Sequence, residues 1–168
     1  MSAHASSHFP PRHGSYWHLC LRTHQQVALF ADWRCARAAA ACLSHAPHWP
    51  QLQVLCWVLL PDRWTALVHA QDPAALRQAC TAVRQAAATA VNRARGRGGT
   101  VWHPGMALAP LPPRADHRQF ARQLVAAPLR AGLVTQLGAY PYWDAVWLTH
   151  RAAHAQPWTR PCTDASAA

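Results

Sequence analysis

Apolar and polar positions along the chain separate strand-like runs from helix-like ones. Residues 16–22 read Tyr-Trp-His-Leu-Cys-Leu-Arg, a run of aromatic and aliphatic residues with strand character. The Ala-rich stretch 33–45 favours helix, with Asp32 placed to cap it and Pro47 and Pro50 to end it. Residues 52–60 form a nearly unbroken apolar run, the length of a buried strand. Pro61-Asp62 is turn chemistry, and 63–69 returns as a second strand, so the two make a hairpin. Asp72 before Pro73 is a favourable helix start, and the helix is predicted to run to about Arg95, where Gly96-Arg97-Gly98-Gly99 stops it. A short strand is expected at 106–109, then a Pro-rich loop, then a helix over 117–127 capped by Asp116. Tyr140, Tyr142, Trp143 and Trp147 form an aromatic knot near the end.

The order is β-α-β-β-α-β-α. Strands separated by helices, with one direct hairpin between them, predict an α+β fold: a ferredoxin-like antiparallel sheet with helices packed on it. One domain is expected over 15–150, with residues 1–14 as a disordered arm and 151–168 as a flexible tail. Most tryptophans, Trp17, Trp33, Trp57, Trp64, Trp143 and Trp147, are expected in the core rather than at a binding surface.

Charge adds a partner to this picture. The 168 residues carry 16 Lys+Arg against 6 Asp+Glu, a formal charge of +10, and every cation is Arg and every anion Asp. GC-rich coding accounts for an Arg-, Ala- and Pro-rich composition, but the same bias would equally have supplied balancing Asp. The excess on a small domain favours a polyanion, nucleic acid before membrane, and implies salt-dependent binding. No stretch approaches the roughly 20 apolar residues of a spanning helix, and the His-, Ser- and Pro-rich N-terminus lacks a signal peptide's apolar region, so a cytoplasmic location is expected. The six cysteines form no C-x-x-C pair and sit mostly in apolar segments, as reduced, buried thiols would; no spacing among them and the histidines supports a zinc site.

Four further segments narrow the reading. Leu59-Leu60-Pro61-Asp62 lies at the hairpin tip, and Gly98-Gly99-Thr100-Val101-Trp102-His103-Pro104-Gly105 follows the long helix. Pro128-Leu129-Arg130-Ala131-Gly132-Leu133-Val134 and Gly138-Ala139-Tyr140-Pro141-Tyr142-Trp143 come after the third helix. This co-linear series, from about Tyr16 to Trp147, resembles the REP-associated tyrosine transposases, an IS200-like group of the HUH single-strand transposases. The resemblance implies an HUH-type fold and single-stranded or hairpin DNA of the REP-palindrome kind as partner. It also implies two strand histidines that hold a Mg or Mn ion, and a helix-borne tyrosine that attacks the scissile phosphate, with an Asn four residues later facing the metal.

At those positions this sequence differs. Aligned on Pro61, the histidine positions are Arg63 and Thr65; counted back from Pro128, the Tyr and Asn positions are Gln123 and Ala127. A guanidinium has only donors and cannot ligate a cation, Thr is a weak neutral ligand, Gln cannot form the covalent phosphodiester, and Ala has no ligand atom. The alignment therefore implies a binding protein without an intact catalytic set and without a cofactor. Mg or Mn is expected only if the site has moved, for instance to His18, His69 and Tyr140 or Tyr142. Candidate DNA contacts are Arg22, Arg63, Arg93, Arg95, Arg97, Arg122 and Arg130, with Trp102 as a stacking surface. Both monomer and dimer stay open.

Overall fold

The computed structural model describes residues 14–148. The expected tail, and the expected arm up to residue 13, lie outside the described residues.

Among the described residues, nine regular elements follow one another: β1 (Ser15–Arg22), α1 (Trp33–Leu43), β2 (Gln53–Leu60), β3 (Arg63–Ala70), α2 (Pro73–Ala94), β4 (Ala107–Pro110), α3 (His117–Val125), α4 (Ala127–Arg130) and β5 (Trp143–Ala145). The sheet order is β4-β1-β3-β2-β5, with every neighbouring pair antiparallel. This is the expected α+β arrangement, and the predicted order of its first seven elements is found in the structure. Strand β5 is an addition to that order. It lies within the aromatic knot and pairs Trp143 with Val58 and Ala145 with Cys56.

Helices cover both faces of the sheet, and β2 and β3 are buried over most of their length. On one face, Leu19, Leu21, Trp57, Leu59, Trp64, Ala66 and Val68 meet α1 and α2. Helix α2 presents Leu76, Cys80, Val83, Ala87 and Val91 at three- and four-residue spacing, one stripe of a 3.6-residue helix. Helix α1 contributes Cys35, Ala36, Ala39, Ala40 and Leu43, mostly small side chains on its buried side. On the other face, Cys56, Val58, Leu60 and Leu67 meet Ala121 and Leu124 of α3. A register shift between Val54 and Cys56 turns Leu55 toward this second core beside Cys56.

Aspartates start the three long helices. Asp32 accepts from Arg34 N at 2.8 Å, Asp72 from Ala74 N at 2.8 Å and Ala75 N at 3.2 Å, and Asp116 from Arg118 N at 2.9 Å and Gln119 N at 3.0 Å. The sequence pattern predicts a third helix unbroken through 117–127, and here the structure differs. Pro128 has no N–H to continue it, so α3 ends at Val125 and the chain restarts as the single turn of α4. Among the described residues, no helix is long and apolar enough to cross a membrane.

Trp64 is fully buried in the centre of the larger core and stacks on Trp49 with ring centroids 5.9 Å apart. Trp64→Ala is expected to lower unfolding stability by about 3–5 kcal/mol, read as a shifted urea midpoint. A loss below about 1 kcal/mol would show that this core repacks freely around the missing ring.

Candidate functional site

The site follows from strand register. Side chains alternate along β1, so His18, Cys20 and Arg22 share one face. Pairing with β3 sets Cys20 opposite Thr65 and Arg22 opposite Arg63, and pairing with β2 sets Leu60 beside Arg63 and Val58 beside Thr65. Helix α3 and the turn of α4 lie over this face and supply Phe120, Gln123, Ala127 and Arg130. The result is a cleft of about 600 Å³ between the sheet and the α3–α4 segment.

The four positions singled out from the sequence, Arg63, Thr65, Gln123 and Ala127, all line this cleft, although about sixty residues of chain separate the strand pair from the helix pair. Arg22 and Arg130 line it too. Three arginines thus line one opening, and Asp62 Oδ1 lies 3.2 Å from Arg63 Nε. Arg22 and Arg63 stand directly opposite each other on paired strands, where like charges repel.

Deeper in the cleft the polar groups are tied to one another. Thr65 Oγ1 donates to the Leu19 carbonyl at 3.1 Å, and His18 Nε2 lies 2.7 Å from the same hydroxyl. With the hydroxyl proton committed to Leu19, the ring donates from Nε2 to the Thr65 oxygen. Burial holds the His18 imidazole below its ordinary range. The ring edge meets Phe120, with centroids 5.1 Å apart. Burial also pushes the Cys20 thiol up, against the lowering effect of Arg22 beside it. Sequence reasoning names His18 only for the alternative, relocated set and does not assign Cys20 or Phe120. The period-two spacing of His18, Cys20 and Arg22 carries the signal for the first two; Phe120 needs the packing of α3.

A divalent cation does not fit this donor set. Arg63 offers only donors, Ala127 no ligand atom, and the Thr65 hydroxyl is already engaged from two sides. Among the described residues, no group of three or more His, Cys, Asp or Glu is placed to hold a metal. The alternative set of His18, His69 and a tyrosine is not assembled around the cleft either. Tyr140 donates its hydroxyl to the Leu59 carbonyl at 2.6 Å, and burial raises its pKa to about 12. Tyr142 packs against the opposite core and donates to the Trp33 carbonyl at 3.4 Å. His69 is buried farther along β3, opposite Tyr16, with its ring 5.2 Å from the Tyr16 ring.

The remaining arginines separate into two kinds. Arg93 and Arg97 are exposed at the end of α2, and Arg122 is exposed on α3 outside the cleft lining. Arg95 instead holds the following loop, donating to the carbonyls of Arg97 and Gly98 at 3.3 Å each. Trp102 corrects the expectation of a stacking surface. It is 3% exposed, packs on Phe30, pairs with Thr23 and donates Nε1 to the Arg84 carbonyl at 3.0 Å, so no base can reach its face. The reverse holds for Trp33, expected in the core and found 60% exposed; Trp147 is 37% exposed.

No family model matches the sequence, and no curated protein does. Among solved structures, the chain is similar to a REP-associated tyrosine transposase bound to a REP hairpin, at 16% identity and a TM-score of 0.58, covering 98% of this chain and 94% of the other. It is more loosely similar to a candidate transposase from Deinococcus radiodurans, at 16% identity and a TM-score of 0.44, over 74% of this chain and 98% of the other. The first likeness establishes a shared fold over nearly the whole chain.

Two buried histidines set a pH response. His18 and His69 are both held below the ordinary histidine value of 6.5, His18 by burial, and His69 by burial first and then by the neighbouring His117. Their contribution to stability is fully present above that value and is lost as pH falls through the lower folded-state values, because the unfolded chain takes up protons first. The unfolding temperature is expected to drop between about pH 7 and pH 5, and the double variant His18→Gln/His69→Gln to flatten that dependence. An unchanged slope in the variant would remove these two groups as its source.

Proposed function

We propose that this protein binds single-stranded or hairpin DNA of the REP-palindrome kind through the arginine-rimmed cleft, and that it holds the strand without cutting it. The observation that carries the reading is the convergence of Arg22, Arg63 and Arg130 on the cleft that also contains Thr65, Gln123 and Ala127. A phosphate placed there relieves the repulsion between Arg22 and Arg63 and accepts charge-assisted hydrogen bonds from planar, permanently charged donors. In this reading Arg63 supplies by itself the positive charge that a metal ion supplies in a cleaving relative. The shared fold and the hairpin partner of the similar transposase support the choice of DNA.

Cutting needs an attacking group and an acceptor for the developing charge. Gln123, which lines the cleft from α3, has an amide that is no nucleophile toward phosphate, and four residues later Ala127 has no ligand atom. The His18 imidazole, engaged with Thr65, orients that hydroxyl toward the Leu19 carbonyl rather than toward the opening. The cleft is therefore built to bind a phosphodiester and leave it whole.

Use of aspartate elsewhere in the chain strengthens the field. Of the five among residues 14–148, Asp32, Asp72 and Asp116 cap helices, Asp62 lies against Arg63, and Asp144 accepts from Ala145 N at 2.8 Å. Most acidic groups are thus committed to backbone N–H donors, and the arginine excess faces solvent with little compensation.

Titration of the protein with a fluorescent DNA hairpin at several salt concentrations tests the proposal. Affinity is expected to fall steeply with salt, and Arg22→Gln/Arg63→Gln/Arg130→Gln to reduce the slope of log K against log salt by about 2 to 3. An unchanged slope would place the DNA elsewhere on the molecule. The chemical half is tested by the quadruple variant Arg63→His/Thr65→His/Gln123→Tyr/Ala127→Asn. With Mg or Mn it is expected to gain strand cleavage and a covalent protein–DNA adduct visible on a denaturing gel, while the unaltered protein gives neither. Adduct formation by the unaltered protein would overturn the non-cleaving reading.

A further inference from the structure

We propose that Trp33 is a stacking platform for an unpaired nucleobase of a strand that leaves the arginine cleft across the hairpin tip. The inference rests on the DNA-binding reading above and extends it to a surface on the other side of that tip. Trp33 is the most exposed large apolar side chain among the described residues, 60% open to solvent at the first position of α1. It is not a loosely attached surface residue. Its carbonyl accepts the Tyr142 hydroxyl, and Asp32 beside it caps the helix, so the ring projects from a fixed backbone.

Its position relative to the cleft follows from three backbone contacts. Thr23, the residue after Arg22, donates its N–H to the Asp62 carbonyl at 2.8 Å and its hydroxyl to the same atom at 3.0 Å. Phe30 donates its N–H to the Pro61 carbonyl at 2.9 Å. The segment from Arg22 to Phe30 is thereby bound to the tip from which Arg63 rises, and Trp33 stands three residues further on, within about 11 Å of Phe30.

The chemistry around the ring suits a nucleotide. Arg34 lies over the Trp33 ring at 5.7 Å from its centroid, leaving an open π-face beside a fixed positive charge. Burial and then the Asp32 carboxylate raise the Cys35 thiol in the same first turn, and Arg95 and Arg97 from the end of α2 act against them, so both signs of charge reach this end of α1. The connecting loop carries strain: Gln25 and Gln26 both adopt left-handed backbone, with φ of 54° and 55°, although neither is glycine. Such strain persists only where surrounding structure enforces it, and here it exposes two amide side chains between Arg22 and Trp33. An exposed aromatic ring with a guanidinium against it takes a stacked base.

Hairpins with and without oligothymidine extensions, titrated against the whole protein and against Trp33→Ala and Trp33→Phe, provide the test. Trp33→Ala is expected to weaken binding of the extended hairpin by roughly five- to a hundredfold and to leave the blunt hairpin unchanged, with Trp33→Phe recovering most of the loss. Equal affinity of Trp33→Ala and wild type for the extended hairpin, with Arg63→Gln still weakened, overturns the platform and leaves the cleft reading standing. A blunt hairpin weakened as much as the extended one overturns it as well. No binding by the wild-type protein overturns both.

Discussion

Everything at the candidate site depends on the pairing of β1 with β3. That register sets Arg22 against Arg63 and Cys20 against Thr65 on the face that α3 covers. A slip of β1 by one residue would bury Arg22 under α1 and α2 and turn Leu21 toward the cleft. The larger core guards against this slip, since Leu19, Leu21, Trp64, Ala66 and Val68 are all at or near zero exposure on the opposite face. The apolar contacts of one face thus fix the charges of the other.

Those charges are costly to assemble. Two arginines opposed across a strand pair, with a third lining the same cleft from α4, gain little from the Asp62 carboxylate beside Arg63. The rest of the fold supplies the stability that makes the arrangement tolerable: a two-sided core, three capped helices and a sheet edge closed by β5. The lack of a fitting donor set for a cation and the presence of three fixed cations have the same consequence for a phosphate entering the cleft. It meets charge from the side chains themselves.

Much of this is legible in the sequence. Apolar runs, Pro61-Asp62 and the Asp-capped helix starts give the order of seven elements, and the same alignment names four positions that the fold brings into one cleft. What is not legible has identifiable causes. The three residues of β5 are too few for a periodic signal, and they become a strand only because β2 offers an open edge. Exposure of individual tryptophans is equally hidden, because it depends on which face of a helix or loop meets the sheet. Trp102 lies in a loop that reads as surface, yet its bridge to Thr23 draws it into the core; Trp33 begins an apolar helix, yet the capping turn leaves it outside. By sequence Arg95 is equivalent to Arg93 and Arg97, and in the fold it ties down its own loop.

What remains decisive is whether a phosphodiester sits intact between Arg22, Arg63 and Arg130. A crystal structure of the protein with a REP-type hairpin, grown with Mg present, answers this. A backbone phosphate within hydrogen-bond distance of the Arg63 guanidinium is expected, with an unbroken strand passing Gln123 and no metal in the cleft. A strand joined covalently to a tyrosine, or a hairpin seated away from all three arginines, would refute the intact-strand reading.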